Sequence, residues 1–282
     1  MRNRTYISTL CFAGTPISEI LDKADINNFN LEFSSGLPYD PNNIKFFNNF
    51  NDNFKLLHNY FPAPKVPFVI NLASENKEIR ELSLNHCLKN IQLSAKNNVD
   101  FYSAHAGFCI DPEPNKLGKF IQVEKKFQRS KHIDIFLESL NKILTFAESL
   151  KVNFYIENNV VSKQNYSKNK NVNSFLCCES EEINYVINEI NRTNFGLLLD
   201  SAHLKVSSSS LGLKKEKEVE KILDKIKVIH HSDNDSKVDS NEPLDKEYWF
   251  LKFKKYYYLW DHVLEVKNID SKKIIEQIEL FK

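Results

Sequence analysis

The sequence lacks a surplus of charge of either sign. Thirty-eight basic residues face thirty-seven acidic ones, a formal net charge of +1. No global field therefore gathers nucleic acid or anionic lipid, although a local basic groove is still compatible with this balance. No run approaches the roughly 18 apolar residues of a membrane span. No CxxC pair occurs. The five cysteines, Cys11, Cys87, Cys109, Cys177 and Cys178, stand at irregular spacings. They read as reduced thiols of a cytoplasmic protein and not as a disulfide framework. No Gly-x-Gly-x-x-Gly turn follows the first apolar run, which counts against a dinucleotide-binding fold. The opening MRNRTYISTLCFAG resembles a signal peptide only weakly, because Thr5, Tyr6, Ser8 and Thr9 interrupt its apolar run; a buried first strand accounts for it better. An interdomain linker is missing too, so residues 1–282 read as one domain.

What is present is a 41% hydrophobic chain, enough for a sizeable core. Short apolar runs alternate with amphipathic stretches. The runs fall at 6–12, 29–33, 54–58, 100–105, 153–157, 195–200, 227–231 and 262–266. Several are almost continuously apolar, as strands covered on both faces are. The third competes with a neighbouring run at 68–72. Helical periodicity marks 77–96, 132–150, 179–191, 214–225 and 271–281, with shorter candidates at 17–24 and 43–51. Eight strand-then-helix units in a chain of this length predict an α/β fold, a (β/α)8 TIM barrel. The polar segments 161–173 and 205–217 follow predicted strands five and six, which makes them candidate active-face loops or lids. Asparagines are scattered throughout and carry no functional meaning by themselves.

Chemistry gathers at the strand ends. Strand four runs into His105, strand five ends at Glu157, and strand six ends at Asp200 with His203 following. Strand seven ends at His230, His231 and Asp233, and strand eight at Glu265. Strand three adds His58. The C-terminal ends of parallel barrel strands converge on one face, so residues far apart in the chain can meet there. Each residue also has a bland account. His58 could be a hydrogen-bonded core histidine, Asp200 a helix cap, and Glu265 a partner of Lys267. As a set, Glu157, Asp200 and Glu265 would repel one another unless a cation or protons neutralised them. That points to a divalent metal ion.

The segments IENN, GLLLDSAH, IHHSDND and LEVKN, in that order, resemble the xylose isomerase-like TIM-barrel superfamily. It contains sugar isomerases, sugar epimerases and type-IV apurinic endonucleases. The resemblance runs from about Thr9 to Val266. It implies that Glu157, Asp200, His230 and Glu265 bind one divalent ion, with His230 preferred to His231 by the spacing to Ser232-Asp233. Strand alternation also turns His231 the other way. His203 matches the second residue of the family's D-x-x-H pair, a substrate contact in epimerases and a ligand of a further zinc in the endonucleases. His58 and His105 match endonuclease zinc ligands, and histidines also occur there in the sugar enzymes. The chain departs from the family pattern in VDSNEPL, where Asp239 fits but Asn241 replaces a histidine. An amide is a poor zinc ligand.

The expected activity is isomerisation or epimerisation of a sugar or phosphorylated sugar through an enediolate. Glu157 and Glu265 are the catalytic proton carriers, and His203, His58 and His105 bind substrate. The donor set suits Mn2+, Mg2+ or Co2+, and also Zn2+. A substrate phosphate could lie near Ser236, Lys237 or Lys267. The partner is a small sugar, with neither nucleic acid nor membrane, and homo-oligomerisation is open. One alternative is an endonuclease IV-like hydrolase of abasic-site DNA. Asn241 and the neutral charge count against it. A second is a non-catalytic barrel that keeps its metal.

Overall fold

The computed structural model describes residues 4–34, 36–51, 54–123 and 126–281. Residues 1–3 of the opening stretch lie outside them. Eight parallel strands close into a barrel in chain order: β1 Thr5–Ser8, β2 Asn30–Phe33, β3 Lys55–His58, β4 Phe101–His105, β5 Asn153–Glu157, β6 Phe195–Asp200, β7 Ile226–His231 and β8 Asp261–Leu264. The barrel expected from the sequence is thus the observed fold. The helices are α1 Ile17–Asn27, α2 Asn43–Asn49, α3 Lys77–Lys96, α4 Arg129–Ser149, α5 Lys163–Lys168, α6 Ser180–Ile190, α7 Ser201–Leu211, α8 Lys215–Ile222 and α9 Ser271–Ile278.

The apolar spacing explains the helix layer. In α4, Phe136, Leu140, Ile143, Leu144 and Ala147 form one buried stripe against the barrel. Each large apolar side chain so placed contributes roughly 1.5–3 kcal/mol. Strand β6, read as FGLLLD, is buried at every position because helices cover its outer face and the barrel interior its inner one.

Two expectations need correction. The first strand stops at Ser8, since Thr9–Phe12 turns into a 3-10 segment that Ser8 caps by accepting the Leu10 N–H. The third strand does fall in 54–58, at Lys55–His58, and the competing 68–72 run forms none, so that reading needs no correction. Segment 205–217 is no lid: most of it continues α7, which ends at Gly212 in the left-handed region (φ +74°) and passes directly to α8. Its serines mislead because Ser207 and Ser208 are buried in the helix. In 161–173, α5 occupies the middle. No described helix is long and apolar enough to cross a membrane. All five cysteines are unpaired and buried.

Candidate metal centre

Strand register builds the site. His105 lies beside Glu157, and Asp200 beside His230. His58 lies beside Ser103, two residues before His105 on β4. Alternation then turns Glu32, His58, His105, Glu157, Asp200 and His230 all inward at the C-terminal mouth. Glu265 follows β8 by one residue and stays in line because its N–H donates to the His231 carbonyl at 2.9 Å.

Glu157, Asp200, His230 and Glu265 each bring one donor atom into a group whose members all lie within 4.8 Å of one another. The centre is largely buried: Glu157 is 1% exposed, Asp200 and His230 are fully buried, and the Glu265 side chain is 12% exposed. His230 Nδ1 sits 2.9 Å from Glu265 Oε2 and 3.3 Å from Glu157 Oε1. Asp200 serves twice. Its Oδ1 accepts the His203 N–H at 2.8 Å and caps α7, while its buried Oδ2 has no hydrogen-bond partner. Glu157 divides likewise. Oε1 faces His230, and Oε2 lies 3.2 Å from His58 Nε2 and 3.0 Å from His105 Nδ1. Despite these short distances, neither Oε2 nor His105 Nδ1 has a hydrogen-bond partner. Buried carboxylate oxygens without donors are costly, and a cation among them would supply what is missing. The residues present fit a divalent ion.

The electrostatics follow from the same contacts. Burial pushes the Glu157 carboxyl up, but His105 and His58 outweigh it and hold the group well below the usual range. Asp200 has less help: burial lifts it to about 7, with Asp239 and Glu157 adding to the rise against His203. Burial alone would neutralise His230, yet Glu265 and Glu32 raise it well above the ordinary imidazole range.

A cavity of about 290 Å³ opens beside this cluster. Its lining includes the polar His105, His203, Asp239 and Asn59 and the apolar Phe108, Phe175 and Ile121. His203 Nε2 is 3.1 Å from Asp239 Oδ2, and Nδ1 is 2.8 Å from the Asn158 carbonyl. The lining includes neither His58, whose side chain is 3% exposed, nor Glu157, Asp200, His230 and Glu265, which lie behind His105 and His203. Ser236, Lys237 and Lys267 do not line the cavity either; Lys119 is its only described Lys or Arg. Lys237 points into solvent and pairs with Asp235. Asn241 Nδ2 faces Ser232 Oγ at 3.4 Å.

Sequence reading missed two kinds of residue. Glu32 is a fully buried carboxylate on β2 whose Oε2 lies 2.9 Å from His230 Nε2. A single acid inside the apolar NLEF strand was the available signal. The asparagines at the loop roots are the other kind. Asn158 Oδ1 accepts the Asp200 N–H at 2.7 Å, and its Nδ2 donates to the Asp200 carbonyl at 3.1 Å. Asn159 Nδ2 donates to the carbonyls of Ala106, Gly107 and Leu176. Asn71 Oδ1 accepts from Ala73 and Phe108. Gly107 is required at this seam, since a Cβ there would meet Ala73 Cβ at 2.6 Å.

Comparison with known proteins agrees with this geometry. A search of curated protein sequences returned no match. Among solved structures, a D-tagatose 3-epimerase-like protein superposes with a TM-score of 0.73 at 19% identity, covering 99% of this chain and 95% of its own. The 3-keto-D-glucoside 4-epimerase of E. coli gives 0.69 at 12% identity, over 99% and 97%. D-psicose 3-epimerase from Clostridium cellulolyticum H10, solved with D-tagatose, gives 0.67 at 14%, over 100% and 90%. At such identities the likeness shows the fold. Residues 30–279 match the family described as xylose isomerase-like TIM barrel. With most of the chain inside that match and the strand-end carboxylates gathered at the barrel mouth, this protein belongs to the xylose isomerase-like TIM-barrel family.

Proposed function

We propose that the protein is a divalent-cation-dependent isomerase or epimerase of a small sugar. One observation carries the reading: four donor groups, Glu157, Asp200, His230 and Glu265, converge within 4.8 Å beside a sugar-sized cavity. Three carboxylates and one imidazole suit Mn2+, Mg2+ or Co2+, with Zn2+ also accommodated. A cation held by these four residues would supply Lewis-acid polarisation of a substrate carbonyl. Glu157 and Glu265 hold and move the proton. Their oxygens approach the same space from β5 and from the end of β8, so one can remove a proton from the carbon beside the carbonyl and the other can return it. His203 and His105 line the cavity and orient substrate hydroxyls. His58, whose Nε2 lies 3.2 Å from Glu157 Oε2, holds that second oxygen. The cavity favours a neutral sugar over a phosphorylated one, because Lys119 is its only described cationic side chain besides the histidines.

The test is solvent exchange. Metal-loaded protein is incubated in D2O with a panel of ketopentoses and ketohexoses. We expect deuterium at the carbon beside the carbonyl with Mn2+ and none after chelation. Product without deuterium would replace proton transfer by a hydride shift. No product across the panel would sink the reading.

A second reading rests on a separate observation. His58, His105 and Glu157 form another group able to hold an ion, on the far oxygen of Glu157. Two ions sharing Glu157 would suit phosphodiester hydrolysis. The single described lysine in the cavity and Asn241 weigh against a DNA substrate. Metal-dependent incision of an abasic-site duplex would reverse this ranking.

A further inference from the structure

Glu32 has no place in the chemistry above, yet it is as fully enclosed as Asp200. It sits on β2 with no exposed surface. Its Oε1 lacks a hydrogen-bond partner, and its Oε2 lies 2.9 Å from His230 Nε2. On the other edge of the same ring, Nδ1 faces Glu265 and Glu157. His230 is thus held between one carboxylate behind and two in front. We infer that Glu32 is a positioning residue that accepts the Nε2 proton of His230 and so leaves the Nδ1 lone pair facing Glu157, Asp200 and Glu265.

The physical reason is the single proton of a neutral imidazole. The nitrogen that carries it cannot bind a cation, so the tautomer decides which edge of the ring is a ligand. A buried carboxylate is a strong acceptor and needs a donor. Placed against Nε2, Glu32 fixes the proton there and fixes the ring plane as well. Such outer partners of a ligating histidine raise its basicity and orient it. Two rival accounts exist. Glu32, His58 and His230 also offer donor atoms within 4.8 Å of one another, so Glu32 could bind an ion directly. It could also serve folding alone.

The inference rests on the cation reading of the four-residue group, and the experiment separates the two. Mn2+ affinity is measured by calorimetry for the wild type, Glu32→Gln and Glu32→Leu. In parallel, the imidazole nitrogens of 15N-labelled, Zn2+-loaded wild type are observed by NMR, with His230 assigned through His230→Gln. We expect the wild type to bind both ions, with His230 protonated at Nε2. Glu32→Leu should lose about 10- to 100-fold in Mn2+ affinity. Glu32→Gln keeps an oxygen that accepts the Nε2 proton, so it should recover most of that loss. Equal affinity in Glu32→Leu would reduce Glu32 to a folding role and overturn the inference. A Gln variant as weak as the Leu variant would make Glu32 a direct ligand and also overturn it. A proton on Nδ1 in the Zn2+-loaded wild type overturns it even if Glu32→Leu fails to fold. If the wild type binds neither ion, the cation reading itself falls and this inference falls with it.

Discussion

Two neighbouring places on β7 show how one strand serves two chemistries. His230 and His231 are consecutive and both fully buried. His230 points into the barrel, where carboxylates meet both ring nitrogens. His231 points outward, between barrel and outer layer. There it meets the Tyr248 hydroxyl at 3.1 Å and His262 Nδ1 at 2.8 Å, and it stacks on Phe281 at 4.2 Å. Burial pushes both imidazoles towards neutrality. Glu265 and Glu32 reverse that push for His230, whereas His262 and His230 add to it for His231. Burial therefore does not decide whether a histidine is chemical or structural. What faces it does, and strand alternation chooses what faces it.

The strongest way to break this contrast is to alter the inner carboxylates. Glu157→Gln and Glu265→Gln should each lower sugar turnover and solvent exchange by roughly 10²- to 10⁴-fold, since an amide cannot accept the proton. The far-ultraviolet circular dichroism should be unchanged. Retained exchange in both variants would remove the glutamates from the proton path.

Next comes the histidine pair itself. His230→Gln should weaken Mn2+ binding by at least about 100-fold, the upper end of what losing a mere supporting group costs. His231→Phe should leave Mn2+ affinity unchanged. It should instead cost about 1–3 kcal/mol in chemical denaturation, because His262 Nδ1 loses its buried partner. If His231→Phe weakened the ion and His230→Gln did not, the assignment of inner and outer roles would be inverted.

The smallest effect sharpens the outer half. Burial lowers His262 to about 4 from an ordinary 6.5. Its contribution to stability is therefore present above pH 6.5 and is lost as the pH falls towards 4. The predicted loss is on the order of 1–3 kcal/mol across that window, and His262→Gln should reduce it in denaturation curves, leaving the same-sign share of His231. His230 has the opposite sign. Its raised value gives a contribution that is complete below 6.5 and fades as the pH rises through the folded value.

The contrast also marks what the sequence could and could not disclose. The barrel was legible because β6 and β7 are nearly continuous apolar runs and α4 keeps a helical stripe. The meeting of Glu157, Asp200, His230 and Glu265 was legible because parallel strands ending in such residues must converge. Glu32 was not, because one acid within a four-residue strand looks like a surface position until the neighbouring strands fix its direction. Segment 205–217 was misread because composition cannot tell a serine exposed in a loop from Ser207, whose hydroxyl receives the Val161 N–H inside a helix. Asp200 shows that a bland and a chemical account can both hold, since one oxygen caps α7 while the other is left to the centre.

The amides of Asn71, Asn158 and Asn159 clasp the loops where they leave the strands. Asn159 and the clasped Phe108 also line the cavity, and the lining continues further out with Ile121 and Phe175. Anchorage and taste thus overlap at the loop roots and part company further out. A lineage could redraw the outer stretch, and with it the molecules admitted, while the clasped base keeps Glu157 and Asp200 in place. The barrel mouth works as a fixed socket with an exchangeable rim, and directed evolution for a new ligand should begin at the rim.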